Sequence, residues 1–90
     1  MEIEKLVKKA LRDGKVIIGF EKTKKLLKTS KDIKTVVVAS NIPDTMLKEL
    51  EYYAKLRGDV EILKFGGSNI ELGNICGKPF NISVIGILKG

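Results

Sequence analysis

The chain has 90 residues, 43% of them hydrophobic, with one cysteine and no histidine, a size that gives one domain with a core and little room for an active-site lobe. A lone cysteine makes no internal disulfide and no histidine completes a zinc set, which excludes a disulfide scaffold, argues against a zinc site and leads to the expectation of a reducing compartment with no metal. The net charge of +6 is concentrated: residues 1–34 hold eleven Lys/Arg against five Asp/Glu, and the rest of the chain carries six of each.

In chain order, Ile3, Leu6, Val7, Ala10 and Leu11 fall at the spacing of one buried helical stripe, and Gly14 follows as a stop. The opening Met-Glu-Ile-Glu-Lys is acidic and amphipathic without an apolar leader, and no apolar run approaches the roughly 18 residues of a spanning helix, so a cytoplasmic protein with no membrane partner is expected. Val16-Ile17-Ile18 is a short β-branched run, apolar on both faces, which predicts a central strand closed by Gly19. Phe20 to about Thr29 predicts a second helix, with Thr23, Leu26 and Leu27 on one side and lysines on the other, before a polar loop over Ser30–Lys34. Thr35–Ala39 predicts a strand, with Ser40-Asn41 beyond its end and Pro43 at the first position of the next helix.

Asp44–Arg57 carries Leu47, Leu50 and Ala54 on one stripe, and Gly58 ends that helix. Val60–Phe65 predicts a strand, Gly66–Asn69 a tight turn, Ile70–Cys76 a short helix weakened by Gly73, and Asn81–Leu88 a final central strand with Gly86 inside it. Strands alternating with helices at this spacing predict the α/β class, a four-stranded sheet between helical layers, in one domain over residues 1–90.

Catalysis is not expected: there is no histidine, no isolated carboxylate pair, and Gly66-Gly67 opens neither a P-loop nor a dinucleotide fingerprint, so no cofactor is indicated. Binding is better supported. A one-sided cationic face draws in a polyanion and releases its counterions, which makes RNA or DNA the first partner; the alternative is a solvated lysine surface of the thermophile kind. Gly19 before the second helix leaves unpaired N–H groups beside Lys22 and Lys25, an anion seat, or else merely eases a strand-to-helix corner. Phe80, after Gly77-Lys78-Pro79, stacks on an unpaired base or packs in the core, and Asn41 offers an amide to a base edge or caps the helix near Pro43. Tyr52 and Tyr53 cannot both face inward, so one is exposed and could anchor a protein partner while the lysines only keep the chain in solution.

Several ordered blocks resemble one family. Gly14–Gly19, Val37–Asn41 with Pro43, Glu49–Ala54, Phe65–Asn69 with Glu71-Leu72-Gly73, and Gly77–Phe80 together resemble the kink-turn RNA-binding superfamily of ribosomal protein L-seven-Ae, and within it most the L-thirty-e ribosomal proteins. The resemblance implies an α/β/α sandwich with a mixed four-stranded sheet that binds a kink-turn or purine-rich internal loop of RNA without catalysis, on the large ribosomal subunit, a monomer when free and with ribosomal proteins as neighbours. It implies RNA contacts at Gly19, Phe20, Glu21, Lys22 and Lys25, at Asn41, and at Gly73, Asn74, Ile75, Cys76, Gly77, Lys78, Pro79 and Phe80. Glu21 departs from the Asn, Lys or Arg usual at its place, and the chain stops at Lys89-Gly90 without the extension many members have. Both departures leave room for a paralogue that serves a different RNA in another ribonucleoprotein, and the exposed tyrosine leaves a protein-interaction module of the same fold as the other alternative.

Overall fold

Helices and strands alternate along the chain as α1 (Glu2–Arg12), β1 (Val16–Ile18), α2 (Phe20–Thr29), β2 (Ile33–Val38), α3 (Asp44–Arg57), β3 (Glu61–Lys64), α4 (Asn69–Ile75) and β4 (Val84–Leu88). The computed structural model describes residues 2–89. The four strands form one sheet in the order β1-β4-β2-β3. β4 runs antiparallel to β1 and β2 whereas β3 is parallel to β2, so the sheet is mixed, in agreement with the resemblance.

Each face of the sheet is covered by a pair of helices, because the apolar stripes of the helices and the two faces of the inner strands need partners. Val7 and Ala10 of α1 and Leu72 of α4 are buried with Val37, Ile85 and Ile87 on one face. Leu27 of α2 and Leu50 of α3 are buried with Ile33, Val36, Val38 and Val84 on the other. The result is the expected three-layer α/β/α sandwich. Gly86 lies where α2 approaches β4 most closely: a Cβ there would stand 2.9 Å from Ile33 Cδ1 and 3.3 Å from Thr23 Cγ2. No helix is long and apolar enough to cross a membrane among the described residues.

Four local expectations are corrected. β1 is an edge strand, paired only with β4. Its apolar character on both faces reports the helical layers above and below, which hold all three residues half-buried, and says nothing about lateral neighbours. The polar loop ends early, since Ile33 is fully buried and Lys34 already lies in β2. The reason is a β-bulge: Ile33 pairs with Leu88 and Thr35 with Ile87, so Lys34 is an extra residue on β2. That insertion resets the alternation and lets Ile33 share a face with Val36 and Val38. Pro43 is the N-cap residue of α3, at φ −60° and ψ 139°, rather than its first helical residue. Finally, β4 begins at Val84; Asn81–Ser83 form its approach, tied to the sheet where the Ala39 N–H donates to the Ser83 carbonyl at 2.9 Å.

A candidate nucleic-acid interface at one end of the sheet

The strand directions decide where the loops go. Ile18 lies opposite Ile85, Val38 opposite Val84, and Val38 beside Lys64, so β1, β2 and β3 all end where β4 begins. Gly19, Asn41, the turn before α4 and the loop before β4 therefore gather at one pole of the molecule, where open α/β sheets place their ligands.

Gly19 turns the chain from β1 into α2 at φ 115° and ψ 150°, a region essentially restricted to glycine. Its N–H donates to the Val84 carbonyl at 3.0 Å and its carbonyl accepts the Thr23 N–H at 3.2 Å. No side chain caps the helix. The N–H groups of Phe20, Glu21 and Lys22 thus lack an intrahelical acceptor and present the positive end of the helix dipole.

Facing this corner is the loop before β4. Its anchor is Gly73, buried in α4, whose carbonyl accepts the Lys78 N–H at 3.0 Å. A Cβ on Gly73 would stand 2.3 Å from the Phe80 carbonyl oxygen, so only glycine admits the loop this close to the helix. Gly77, at φ 68°, makes the turn, and Phe80 emerges 55% exposed. Ile18, Gly19, Phe20 and Lys22 on one side and Lys78, Phe80, Asn81 and Ser83 on the other line a single cleft of about 520 Å³. The alternative of a core Phe80 is thereby settled against.

The charges around this cleft are unequal in freedom. Lys22 and Lys78 are exposed and belong to no ion pair among the described residues. Lys25 lies around the helix, lining with Lys22, Ile17, Leu26 and Thr29 a shallower hollow of about 290 Å³, so Lys22 forms the ridge between the two. Lys24, by contrast, is committed to the protein: its ammonium is 3.4 Å from Glu49, 3.6 Å from Glu21 and 5.0 Å from the centre of the Phe20 ring. Burial acts to lower its pKa, but the hydrogen bond to Glu49 and the charges of Glu21 and Glu49 outweigh it and hold the ammonium above the ordinary lysine value. Glu21 is 82% exposed beside the open helix end, with its charge partly offset by Lys24.

Asn41 does not cap α3. Its side-chain oxygen accepts the Asn69 N–H at 2.9 Å and its amide nitrogen donates to Asn69 Oδ1 at 3.2 Å, which clasps the end of β2 to the first residue of α4. Beside it, Ser68 and Glu71 form a capping box. Asn41 remains exposed with one amide proton free. Asn74 and Pro79 are exposed, whereas Ile75 and Cys76 pack against the α1–α4 core and hold the loop from behind. Burial pushes the Cys76 thiol up, and the Lys78 charge pulls it partly back. Met46, Asn81 and Ser83 are cleft residues that sequence reasoning missed. The polar–apolar–polar pattern of Asn81-Ile82-Ser83 was the available signal, hidden inside the strand expected there.

A helix-covered mixed sheet with an open helix end, free lysines and an exposed aromatic around one cleft defines a small α/β/α binding module. The model of the Ribosomal protein L7Ae/L30e/S12e/Gadd45 family matches residues 1–90, and the chain belongs to this family. It is similar to Large ribosomal subunit protein eL30 of Sulfolobus acidocaldarius, 48% identical over 82 residues that span 91% of this chain and 77% of the relative. The eL30 of Archaeoglobus fulgidus is 38% identical over 88 residues, 98% of this chain and 95% of the relative. Among solved structures, a 15.5kD RNA binding protein of Giardia lamblia shares the fold with a TM-score of 0.86 at 22% identity, covering 99% of this chain and 72% of that one. A Bacillus halodurans protein of unknown function shares it at a TM-score of 0.84, 21% identity, and coverage of 97% and 84%.

Proposed function

We propose that this chain is an RNA-binding protein of the large ribosomal subunit that recognises a kink-turn or related purine-rich internal loop. The observation that carries the proposal is the single cleft shared by the open end of α2, with Lys22, and the loop bearing Lys78 and exposed Phe80. Splayed bases of a kinked RNA expose faces and edges that a duplex hides, and this cleft offers what they need: an aromatic to stack on, backbone N–H donors, and two ammonium groups for phosphates. Gly19, Phe20, Glu21 and Lys22 would meet the widened groove, Lys25 the flanking backbone, and Asn41 a base edge. Gly73 to Cys76 would support the Gly77–Phe80 loop that grips an extruded nucleotide. The chain acts by binding, in the cytoplasm, on the ribosome; the exposed Tyr52, 60% accessible on α3, offers a neighbouring protein a contact outside the RNA surface.

The test is a gel shift of the kinked RNA against a duplex of equal length across a salt series. Stronger binding of the kinked RNA at every salt concentration is expected, and equal affinity for the two would end the specific claim.

A further inference from the structure

A second cationic cluster lies at the opposite pole. Lys9, Lys15 and Lys34 line one small cavity of about 110 Å³ at the other end of the sheet, beside Leu88, with Asp13 as its one acidic neighbour. Three unrelated local devices bring these lysines together. Lys9 is in the last turn of α1. Gly14, in the left-handed region at φ 68°, folds the chain back so that the Lys15 N–H donates to the Ala10 carbonyl at 2.8 Å, which sets Lys15 against the end of that helix. Lys34 is the residue inserted by the β-bulge, and bulges re-aim a side chain.

The C-terminal dipole of α1 accounts for Lys9 and Lys15, which sit at that helix end, but not for Lys34. None of the three forms an ion pair among the described residues, and Asp13 is already engaged by Arg12 at 3.9 Å. Three gathered cations facing one carboxylate that is shared with Arg12 leave surplus positive charge, an arrangement that an incoming anion relieves.

We propose that Lys9, Lys15 and Lys34 form a second anion site that takes backbone phosphates of a separate RNA segment, so that one molecule tethers two stretches of RNA. The inference rests on the RNA-binding reading of the first cleft. The sheet separates the sites by the length of β2, roughly 17–20 Å at the usual strand rise, so a segment seated in one does not reach the other without wrapping the molecule. An RNA segment suits the site because the three exposed ammonium groups come from three different segments and rim a cavity open to solvent, where phosphates repeated along a strand can meet them in turn.

The test uses kinked RNA fixed to a surface, saturated with protein and then offered a labelled plain duplex at low salt. Wild-type protein is expected to recruit the duplex. Protein carrying K9Q, K15Q and K34Q together should hold the kinked RNA with unchanged affinity, which also reports its folding, and lose the duplex. The log–log salt slope for duplex recruitment should be about 2.7 steeper in the wild type if each lysine meets one phosphate. Equal recruitment by the triple variant, or none by the wild type, overturns the proposal. Displacement of the duplex by inorganic phosphate at matched phosphate concentration would mark a free-phosphate site, and tighter capture of polyglutamate than of the duplex would mark an acidic protein partner; either overturns it. If wild-type protein does not bind the kinked RNA, the first reading fails separately. Direct duplex titration of Lys22→Ala protein with and without the three pole substitutions then decides the second: weaker binding with them supports it, and no difference overturns it.

Discussion

Gly73→Ala sets helix propensity against packing. Gly73 lies inside the seven-residue helix α4, where alanine is favoured over glycine by about 1 kcal/mol. Propensity alone therefore predicts a more stable protein. The structure predicts the opposite: the new Cβ would stand 2.3 Å from the Phe80 carbonyl oxygen, 3.3 Å from its carbon and 3.5 Å from Asn81 Cα. These are backbone atoms, so the loop has to retreat by about 1 Å to restore ordinary contact. Overpacking of this kind costs about 1–3 kcal/mol, and stretching the bond from the Lys78 N–H to the Gly73 carbonyl costs about 1 kcal/mol more. After the propensity gain, a net loss of about 1–3 kcal/mol remains, and a domain of this size loses about 4–8 °C in melting temperature per kcal/mol. The same retreat carries Phe80 away from the α2 corner, so affinity for kinked RNA should fall along with the melting temperature. Thermal unfolding by circular dichroism and a gel shift on one preparation measure both. A higher melting temperature with unchanged RNA affinity would refute the claim that this glycine positions the loop.

Further expectations concern single side chains. Phe80→Ala should leave the melting temperature within about 3 °C, since the ring is 55% exposed, while weakening kinked RNA by about 1–3 kcal/mol; a large melting loss with intact binding would contradict it. Lys22→Ala and Lys25→Ala should each flatten the salt slope of RNA binding by about 0.9 for every phosphate the lysine neutralises, whereas Lys24→Ala should chiefly destabilise the helix pair it joins. Thr23→Val should raise stability by about 1 kcal/mol, because the buried Thr23 hydroxyl has no partner among the described residues; chemical denaturation showing a loss instead would mean that the hydroxyl is satisfied. Burial holds the folded Cys76 thiol above its ordinary value, partly offset by the Lys78 charge, so the stability it contributes is complete below the unfolded thiol's value and is lost as pH rises through the folded one; Cys76→Ala should flatten that alkaline part of the stability curve.

Much of this architecture is legible from residue order because its signals are local. Helical stripes such as Val7-Ala10 and Leu50-Ala54, and stops such as Gly14 and Gly58 at φ 68° and 77°, depend on neighbours within one or two turns. What sequence misplaced depends on distant partners. The edge position of β1 is set by β4, which arrives only at the far end of the chain. Ile33 reads as loop because the bulge at Lys34 breaks the period-two pattern by which a strand is recognised. The capping alternative for Asn41 rests on a nearest-neighbour preference, whereas its actual partner Asn69 is 28 positions away. Phe80 could not be assigned from sequence, since apolar character is the same whether a ring is stacked or buried, and what decides is the approach of its backbone to Gly73.

The mixed topology explains how so small a chain gathers its candidate binding loops at one pole. Because β4 alone runs against the other three strands, its start meets their ends, and one sheet edge-on collects four loops without any long excursion of backbone. Each loop is then fixed by a bond to a neighbouring segment: Gly19 to Val84 at the start of β4, Ser40 to Gly67, and Asn41 and Ile82 to Asn69 at the start of α4. Ordering a loop at the moment of binding costs affinity, and bonds already made in the free protein remove that cost. Lys22 and Lys78 stay outside this lattice, unpaired among the described residues, while Lys24 is held by Glu21 and Glu49 and keeps α2 seated against α3. Local placement, rather than lysine content, therefore separates the unpaired cations beside the cleft from the one that braces the two helices.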